Sequence, residues 1–251
     1  MIAGVTEPIP AATLILFREA EGAPELLMVE RARAMAFAGG ALVFPGGRID
    51  PEDEALALRL APGDPLGAAR VAALRELLEE AGVALGLAPV PDAALIARLR
   101  DRLHGGAPFG ALLAEHGLSL TLDALTPFAR WCPRHANMRI FDTHFFIAPA
   151  PEDARVEADG GESVRAFWGR ARDILAEAEG GRASLIFPTR RNLERLARFA
   201  SFAEALADAR AHPIETITPW IERRDGIDYL RIPEGLGYPV TEEALADARR
   251  D

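Results

Sequence analysis

The chain has 251 residues, 49% of them hydrophobic, a formal net charge of −10 and one cysteine. That is ample apolar material for one large core or two small ones, whereas the acidic balance argues against broad contact with nucleic acid or an acidic membrane, both of which need clustered Lys and Arg. The lone Cys132 excludes an internal disulfide and fits a reducing compartment. With no apolar run near the roughly eighteen residues of a membrane span and no basic-then-apolar N-terminus, a cytoplasmic protein is expected.

Residues 11–17 and 25–30 are short apolar runs separated by the turn-prone Glu21-Gly22-Ala23-Pro24, which predicts a hairpin. After Arg31-Ala32, a stretch of small residues and Gly39-Gly40, the run Ala41-Leu42-Val43-Phe44 predicts a further strand entering Pro45-Gly46-Gly47. Residues 69–78 are good helix formers, and Gly82 is the residue expected just past a helix end.

On that helix Glu76, Glu79 and Glu80 fall within an arc of about 100°, while Leu74, Leu77, Leu78 and Ala81 point the other way. Like charges at these spacings weaken an isolated helix by a few tenths of a kcal/mol per pair, so something positive belongs there. Arg75 reaches Glu79 across one turn, but one guanidinium does not neutralise three carboxylates. A hard divalent cation, Mg²⁺ or Mn²⁺, takes such oxygen ligands, and Ala69, Ala72 and Ala73 leave room on the same face. An ordinary surface helix with a solvated acidic face carries the same pattern.

Further on, residues 92–103 have helical periodicity and 109–116 predict a second short helix, together a helical insertion over about 89–124 that covers a cleft or simply packs. Strands are predicted at 125–132 and 139–147. On the latter, Phe141, Thr143 and Phe145 share one face and Asp142, His144 and Phe146 the other, which either lines a cleft or is half exposed. Glu157, Asp159 and Glu162 precede a strand at 164–168, and a helix follows at 170–178. Pro188-Thr189 opens a helical pair at about 189–199 and 202–210, with Thr189 as cap and Pro213 as stop. Residues 214–222 and 227–232 predict a final hairpin around Arg224-Asp225-Gly226. No linker rich in Gly, Pro or Ser divides the chain, so residues 1–251 are expected to form one domain with a C-terminal extension over about 182–251. The five histidines lie far apart and no Cys-x-x-Cys occurs, which leaves a zinc enzyme without support.

Gly47, Arg75, Glu76, Leu77, Glu79, Glu80, Gly82 and Val83 resemble the signature of the Nudix hydrolases: Gly, five residues, Glu, seven residues, then Arg-Glu-aliphatic-x-Glu-Glu-x-Gly-aliphatic. Two departures stand out. The first acidic position falls on Asp53, and 21 residues separate it from Arg75, an insertion of 14 (21 minus 7) near 54–69 that is expected to be a loop containing Pro62-Gly63-Asp64-Pro65. The resemblance implies an α/β Nudix fold, an α/β/α sandwich with a mixed sheet, here with a helical insertion and extra C-terminal helices and hairpin. It further implies Mg²⁺ or Mn²⁺ held by Glu76, Glu79, Glu80 and the Gly46 carbonyl, Glu76 or Glu162 as the base, and Arg75 orienting the glutamates.

Arg31, Ala32, Gly40, Phe44, Pro45, Gly46 and Gly47 also resemble, at the right spacing, the signature that precedes this box in coenzyme A diphosphatases, although the second arginine of that pattern is Ala36. The words around Trp131 and Arg139-x-Phe141-Asp142-Thr143-x-Phe145-Phe146 resemble a long-insert subgroup that includes peroxisomal acyl-coenzyme A diphosphatases. This likeness implies Arg31, Arg33, Phe44, Gly47 and Asp142 at the substrate, and cleavage of coenzyme A or acyl-coenzyme A to 3′,5′-ADP and (acyl-)phosphopantetheine. ADP-ribose, NADH and other dinucleotides remain as alternative substrates. A non-catalytic nucleotide-binding regulator is expected to have lost one of the glutamates, and all three are present. The expected partner is a small-molecule nucleoside diphosphate derivative, without nucleic acid or membrane, and a homodimer is left open.

Overall fold

The computed structural model describes residues 7–35, 38–134 and 139–248, so Ala36 lies outside the described residues. Strands β1 (Ile9–Arg18) and β2 (Glu25–Arg31) form the expected antiparallel hairpin, with Phe17 opposite Leu26. Along β1, Ala12, Leu14 and Leu16 enter one apolar layer while Ile15 and Phe17 enter a second. The strand is therefore covered on both faces, which is why it reads as a near-continuous apolar run.

The chain continues through β3 (Ala41–Val43), β4 (Gly46–Arg48), α1 (Pro51–Leu60) and α2 (Gly67–Ala81). The insertion follows, with β5 (Leu87–Ala88), α3 (Ala93–His104), α4 (Phe109–Glu115) and β6 (Ser119–Leu120), closed by pairing of β5 with β6. Then come β7 (Thr126–Trp131), β8 (Phe141–Pro149), β9 (Ser163–Arg170), α5 (Ala171–Glu179), β10 (Ser184–Leu185), α6 (Phe187–Leu196), α7 (Phe202–Ala211) and β11 (Thr216–Ile217). The main sheet runs β10-β3-β2-β1-β8-β7-β11, with β4 also on β1 and β9 also on β2. It is mixed: β1 lies parallel to β8 and antiparallel to β2. Helices α1 to α4 cover one face through residues such as Leu56, Leu77, Leu99 and Phe109, and α5 to α7 cover the other through Ile174, Leu193 and Ala205. The architecture is an α/β/α sandwich.

Three elements differ from expectation. The insertion after Asp53 is not a loop, because Asp50 and Asp53 form a reciprocal capping box, Pro51 occupies the first turn, and Leu56 and Ala57 are buried under α2. Thr189 is not a cap; α6 starts two residues earlier from Ile186, and Thr189 is buried inside it. Thr216 and Ile217 leave the final hairpin and join β7 in the main sheet, so a smaller sheet forms from β12 (Trp220–Arg224), β13 (Ile227–Arg231) and β14 (Glu242–Ala244), ending in α8 (Leu245–Ala248). Trp131 Nε1 donates to Tyr238 Oη (3.0 Å), which donates to Asn192 Oδ1 (2.8 Å), and this tethers the C-terminal segment to β7 and α6. No helix among the described residues is long and apolar enough to cross a membrane.

Candidate active site

Helix α2 is buried along Val71, Ala72, Ala73, Leu74, Leu77, Leu78 and Ala81, which press it onto β1 and β4. It stops at Gly82, whose φ of 70° is the left-handed conformation that glycine adopts without strain. The acidic side of the helix faces the turn between β3 and β4.

That turn is shaped by two glycines. Gly46 and Gly47 pair with Thr13 and Ala12 of β1. A Cβ at Gly46 would lie 2.5 Å from the Ala12 carbonyl oxygen, and one at Gly47 would lie 2.3 Å from Glu76 Oε1, so any side chain there would displace the carboxylate. Glu80 is 3% exposed and accepts the Gly46 N–H at Oε2 (3.0 Å), while Arg31 from the end of β2 stands 3.9 Å from its other oxygen. Burial raises the Glu80 carboxyl well above its usual range, and the Glu76 charge raises it further. Glu76 is pushed up to about 7, first by burial and despite the neighbouring Arg75. Glu79 is raised by burial too. The acidic face is therefore not the open, solvated one expected of a surface helix: Glu80 is buried, Glu76 and Glu79 are half-buried, and all three have raised carboxyl pKa values.

Arg75 lies underneath them. Its Nε and Nη2 donate to Asp53 (3.0 and 2.9 Å), Nη2 also donates to the Arg48 carbonyl (2.9 Å), and Nη1 reaches Glu76 (2.8 Å) and Glu79 (3.4 Å). Burial alone would lower its pKa; the hydrogen bonds and charges of Asp53 and Glu76 more than offset that and keep it protonated. Asp53, 1% exposed, also accepts the N–H of the N-cap residue Asp50 (3.0 Å), so the acid at the first acidic position of the motif both closes the start of α1 and anchors Arg75. The 21-residue separation leaves this contact intact because α1 folds back against α2.

Glu162 is exposed in the segment before β9; its carbonyl accepts the Ala32 N–H (2.7 Å), and its charge contributes to the raised values of Glu79 and Glu80. The fold thus brings it beside the acidic helix from a distant part of the chain. Arg33 is exposed in the turn after β2. Phe44, at 2% exposure, lies in the apolar layer on the opposite face of the sheet from α2, where it anchors the Pro45-Gly46-Gly47 turn. Asp142 sits two strands and two residues along from Gly47, since Gly47 pairs with Ala12 and Ala12 with His144. Its carboxylate is taken up by Arg130 in a two-pronged pair (2.8 and 2.6 Å) that holds it below the usual carboxylate range.

Two residues that sequence reasoning missed belong to the inserted helix α3. Arg100 Nε donates to the Glu79 carbonyl (3.1 Å) and its Nη2 to the Glu157 carbonyl (2.8 Å), and His104 Nδ1 lies 3.3 Å from Glu79 Oε1. Their spacing of four on one helix was visible; which helix they would meet was not.

Among the described residues no three His, Cys, Asp or Glu side chains converge as a ready-made metal cluster. In their place, Glu76 and Glu79 are turned onto Arg75, and Glu80 onto the Gly46 N–H. The donor chemistry nonetheless fits a hard divalent ion, being all oxygen, crowded and short of positive charge.

No protein-family model matches the chain. Among solved structures it is similar to a Nudix hydrolase from Alicyclobacillus acidocaldarius, with 30% identity over 81% of this chain and 97% of that one and a TM-score of 0.70. Lower similarities include the NUDIX domain of Shewanella oneidensis NrtR complexed with ADP ribose (15% identity, 77% of this chain, 88% of that one, TM-score 0.46) and the MutT protein of Methanosarcina mazei Go1 (16%, 78%, 97% and 0.43). Identity of 30% sustained over nearly the whole of the first relative, on the same sandwich, places the chain in that family: it is a Nudix hydrolase, an enzyme acting on phosphorus-containing anhydrides.

Proposed function

We propose that the chain is a divalent-metal-dependent diphosphatase of coenzyme A or acyl-coenzyme A, releasing 3′,5′-ADP and (acyl-)phosphopantetheine, and that residues 1–251 work as one unit. The observation that carries the catalytic part is the crowding of Glu76, Glu79 and Glu80 against Gly46-Gly47, all three with raised pKa values. Members of this family generally need a divalent metal ion. Glu76, Glu79, Glu80 and the Gly46 carbonyl are the groups that would hold Mg²⁺ or Mn²⁺ here. When bound, such an ion neutralises charge on the diphosphate oxygens and makes a water easier to deprotonate.

The chain's own groups supply the rest. Arg75, itself fixed by Asp53, keeps Glu76 and Glu79 turned onto one guanidinium nitrogen. Glu76, or Glu162 from the later segment, takes the proton of the attacking water. One P–O bond forms to the water oxygen, the bridging P–O bond breaks, and the leaving phosphate carries away the electron pair. The coenzyme A assignment rests on the Arg31-Ala32 and Phe44-Pro45-Gly46-Gly47 words, and it is supported by Arg31 standing 3.9 Å from Glu80, beside the acidic face of α2.

The test is a product assay of the purified chain with Mg²⁺ and with Mn²⁺ on coenzyme A, acyl-coenzyme A, ADP-ribose, NADH and diadenosine polyphosphates, with Glu79→Gln as the blank. The expected result is selective release of 3′,5′-ADP, with Arg31→Ala raising KM for coenzyme A more than for ADP-ribose. Preferential cleavage of another diphosphate, or an equal effect of Arg31→Ala on both substrates, refutes the coenzyme A assignment.

A further inference from the structure

We propose that His104, carried to the site by the inserted helix α3, is a positioning residue that fixes the Glu79 carboxylate for metal binding; the inference rests on the reading of Glu79 as a metal ligand. Helix α3 is not free to rotate against α2. Arg100 closes the C-terminal end of α2 by donating to the Glu79 carbonyl (3.1 Å), and its other arm holds the Glu157 carbonyl (2.8 Å). A Cβ on Gly82 would come within 3.2 Å of Arg100 Nη1, so the glycine that ends α2 is also what lets α3 approach.

Four residues after Arg100, one turn along the same face of α3, His104 Nδ1 comes within 3.3 Å of Glu79 Oε1. The opposite oxygen, Oε2, is 3.4 Å from Arg75 Nη1. Each oxygen of this carboxylate therefore has its own cationic or donor neighbour, one from the signature motif and one from the insertion. Arg75 alone is a loose tether for Glu79, because the same Nη1 lies closer to Glu76 (2.8 Å) and the rest of the guanidinium is spent on Asp53 and the Arg48 carbonyl. His104 supplies the second point that a side chain with three rotatable bonds needs. The contact requires a proton on Nδ1, which a neutral ring can provide as well as a charged one.

The alternative is purely structural: His104 stands in the last turn of α3, where a basic residue favours the helix end. That role predicts a change in stability and none in metal affinity. Mn²⁺ binding to the full-length protein, followed by electron paramagnetic resonance without any substrate, separates the two. His104→Ala is expected to weaken Mn²⁺ binding by roughly 10- to 100-fold, the usual effect of removing a partner that orients a ligand. His104→Asn, whose amide nitrogen falls near the Nδ1 position, is expected to restore most of it. The Mn²⁺ concentration needed for half-maximal hydrolysis should move in parallel, with KM for the nucleotide at saturating Mn²⁺ unchanged within about twofold. Wild-type Mn²⁺ affinity in His104→Ala, or equal weakening in the Ala and Asn variants, overturns the proposal. Glu79→Gln distinguishes the underlying reading: if it binds Mn²⁺ as tightly as the wild type, the acidic face is not the metal site and the proposal falls with it.

Discussion

Asp53→Asn isolates the device that holds the acidic face together. The wild-type carboxylate is 1% exposed and meets Arg75 through two arms, Nε at 3.0 Å and Nη2 at 2.9 Å. Removing one partner of a buried pair costs about 3–5 kcal/mol because the other charge is left without compensation. Two features place this case at the lower end. The amide oxygen still accepts a hydrogen bond, and Glu76 and Glu79 still face the guanidinium. The expected loss is about 3 kcal/mol, which for a chain of this length corresponds to a fall in Tm of roughly 6–12 °C. Catalysis should suffer separately: an Arg75 released from Asp53 pairs more fully with Glu76 and Glu79 and competes for the carboxylates, so more Mg²⁺ is needed for half-maximal rate. Urea unfolding at pH 7 and a Mg²⁺ titration of activity measure the two effects. A loss of stability below about 1 kcal/mol, the range of an exposed ion pair, refutes the account of Asp53 as the buried anchor.

Gly47→Ala places a methyl group 2.3 Å from Glu76 Oε1 and forces the carboxylate aside; turnover should fall on the order of 10²-fold, and near-normal turnover would show that Glu76 is free to move without consequence. The Arg130–Asp142 pair is partly exposed, with side-chain exposures of 38% and 21%, so Arg130→Gln should cost no more than about 1 kcal/mol at neutral pH. Because the hydrogen bond from Arg130 lowers the folded-state pKa of Asp142 beneath its usual 3.8, that contribution is complete above this pH and disappears as pH falls through the folded-state value. Urea midpoints of wild type and variant should therefore converge in acid, and a constant gap down to the acid transition contradicts the assignment.

What the sequence disclosed was local. Helix α2 and its Gly82 stop, the β1–β2 hairpin and the alternation of Phe145 and Phe146 between two cores follow from periodicity and turn chemistry alone. Helix α1 was hidden because Asp50-Pro51-Glu52-Asp53-Glu54 reads as an acidic turn unless Asp53 is seen as the reciprocal partner of Asp50. The burial of Phe44 was not legible either, because the motif gives its position beside the turn and not the apolar layer that receives it. Arg75 appeared able to orient glutamates, but its main partner is Asp53, 22 positions earlier, and only the packing of α1 on α2 reveals that. His104 and Arg100 were illegible for the same reason: their relation to Glu79 depends on where the insertion docks, and nothing local in α3 states it.

The central claim is that α2 keeps three carboxylates, Glu80 buried and Glu76 and Glu79 half-buried, in a site that stability alone would not favour. Glu80→Gln tests it most directly, with hydrolysis and metal-free thermal stability measured on the same preparation. Burial first, and the Glu76 charge second, raise the folded-state pKa of Glu80 above its unfolded value, so the ionised group destabilises the fold increasingly as pH rises past the usual 4.5. A neutral amide that still accepts the Gly46 N–H removes that cost. The expected result at pH 7 in a chelator is a higher Tm than wild type, together with a loss of turnover on the order of 10²-fold when Mg²⁺ is restored. Retained turnover, or a fall in stability and activity together, would contradict the account.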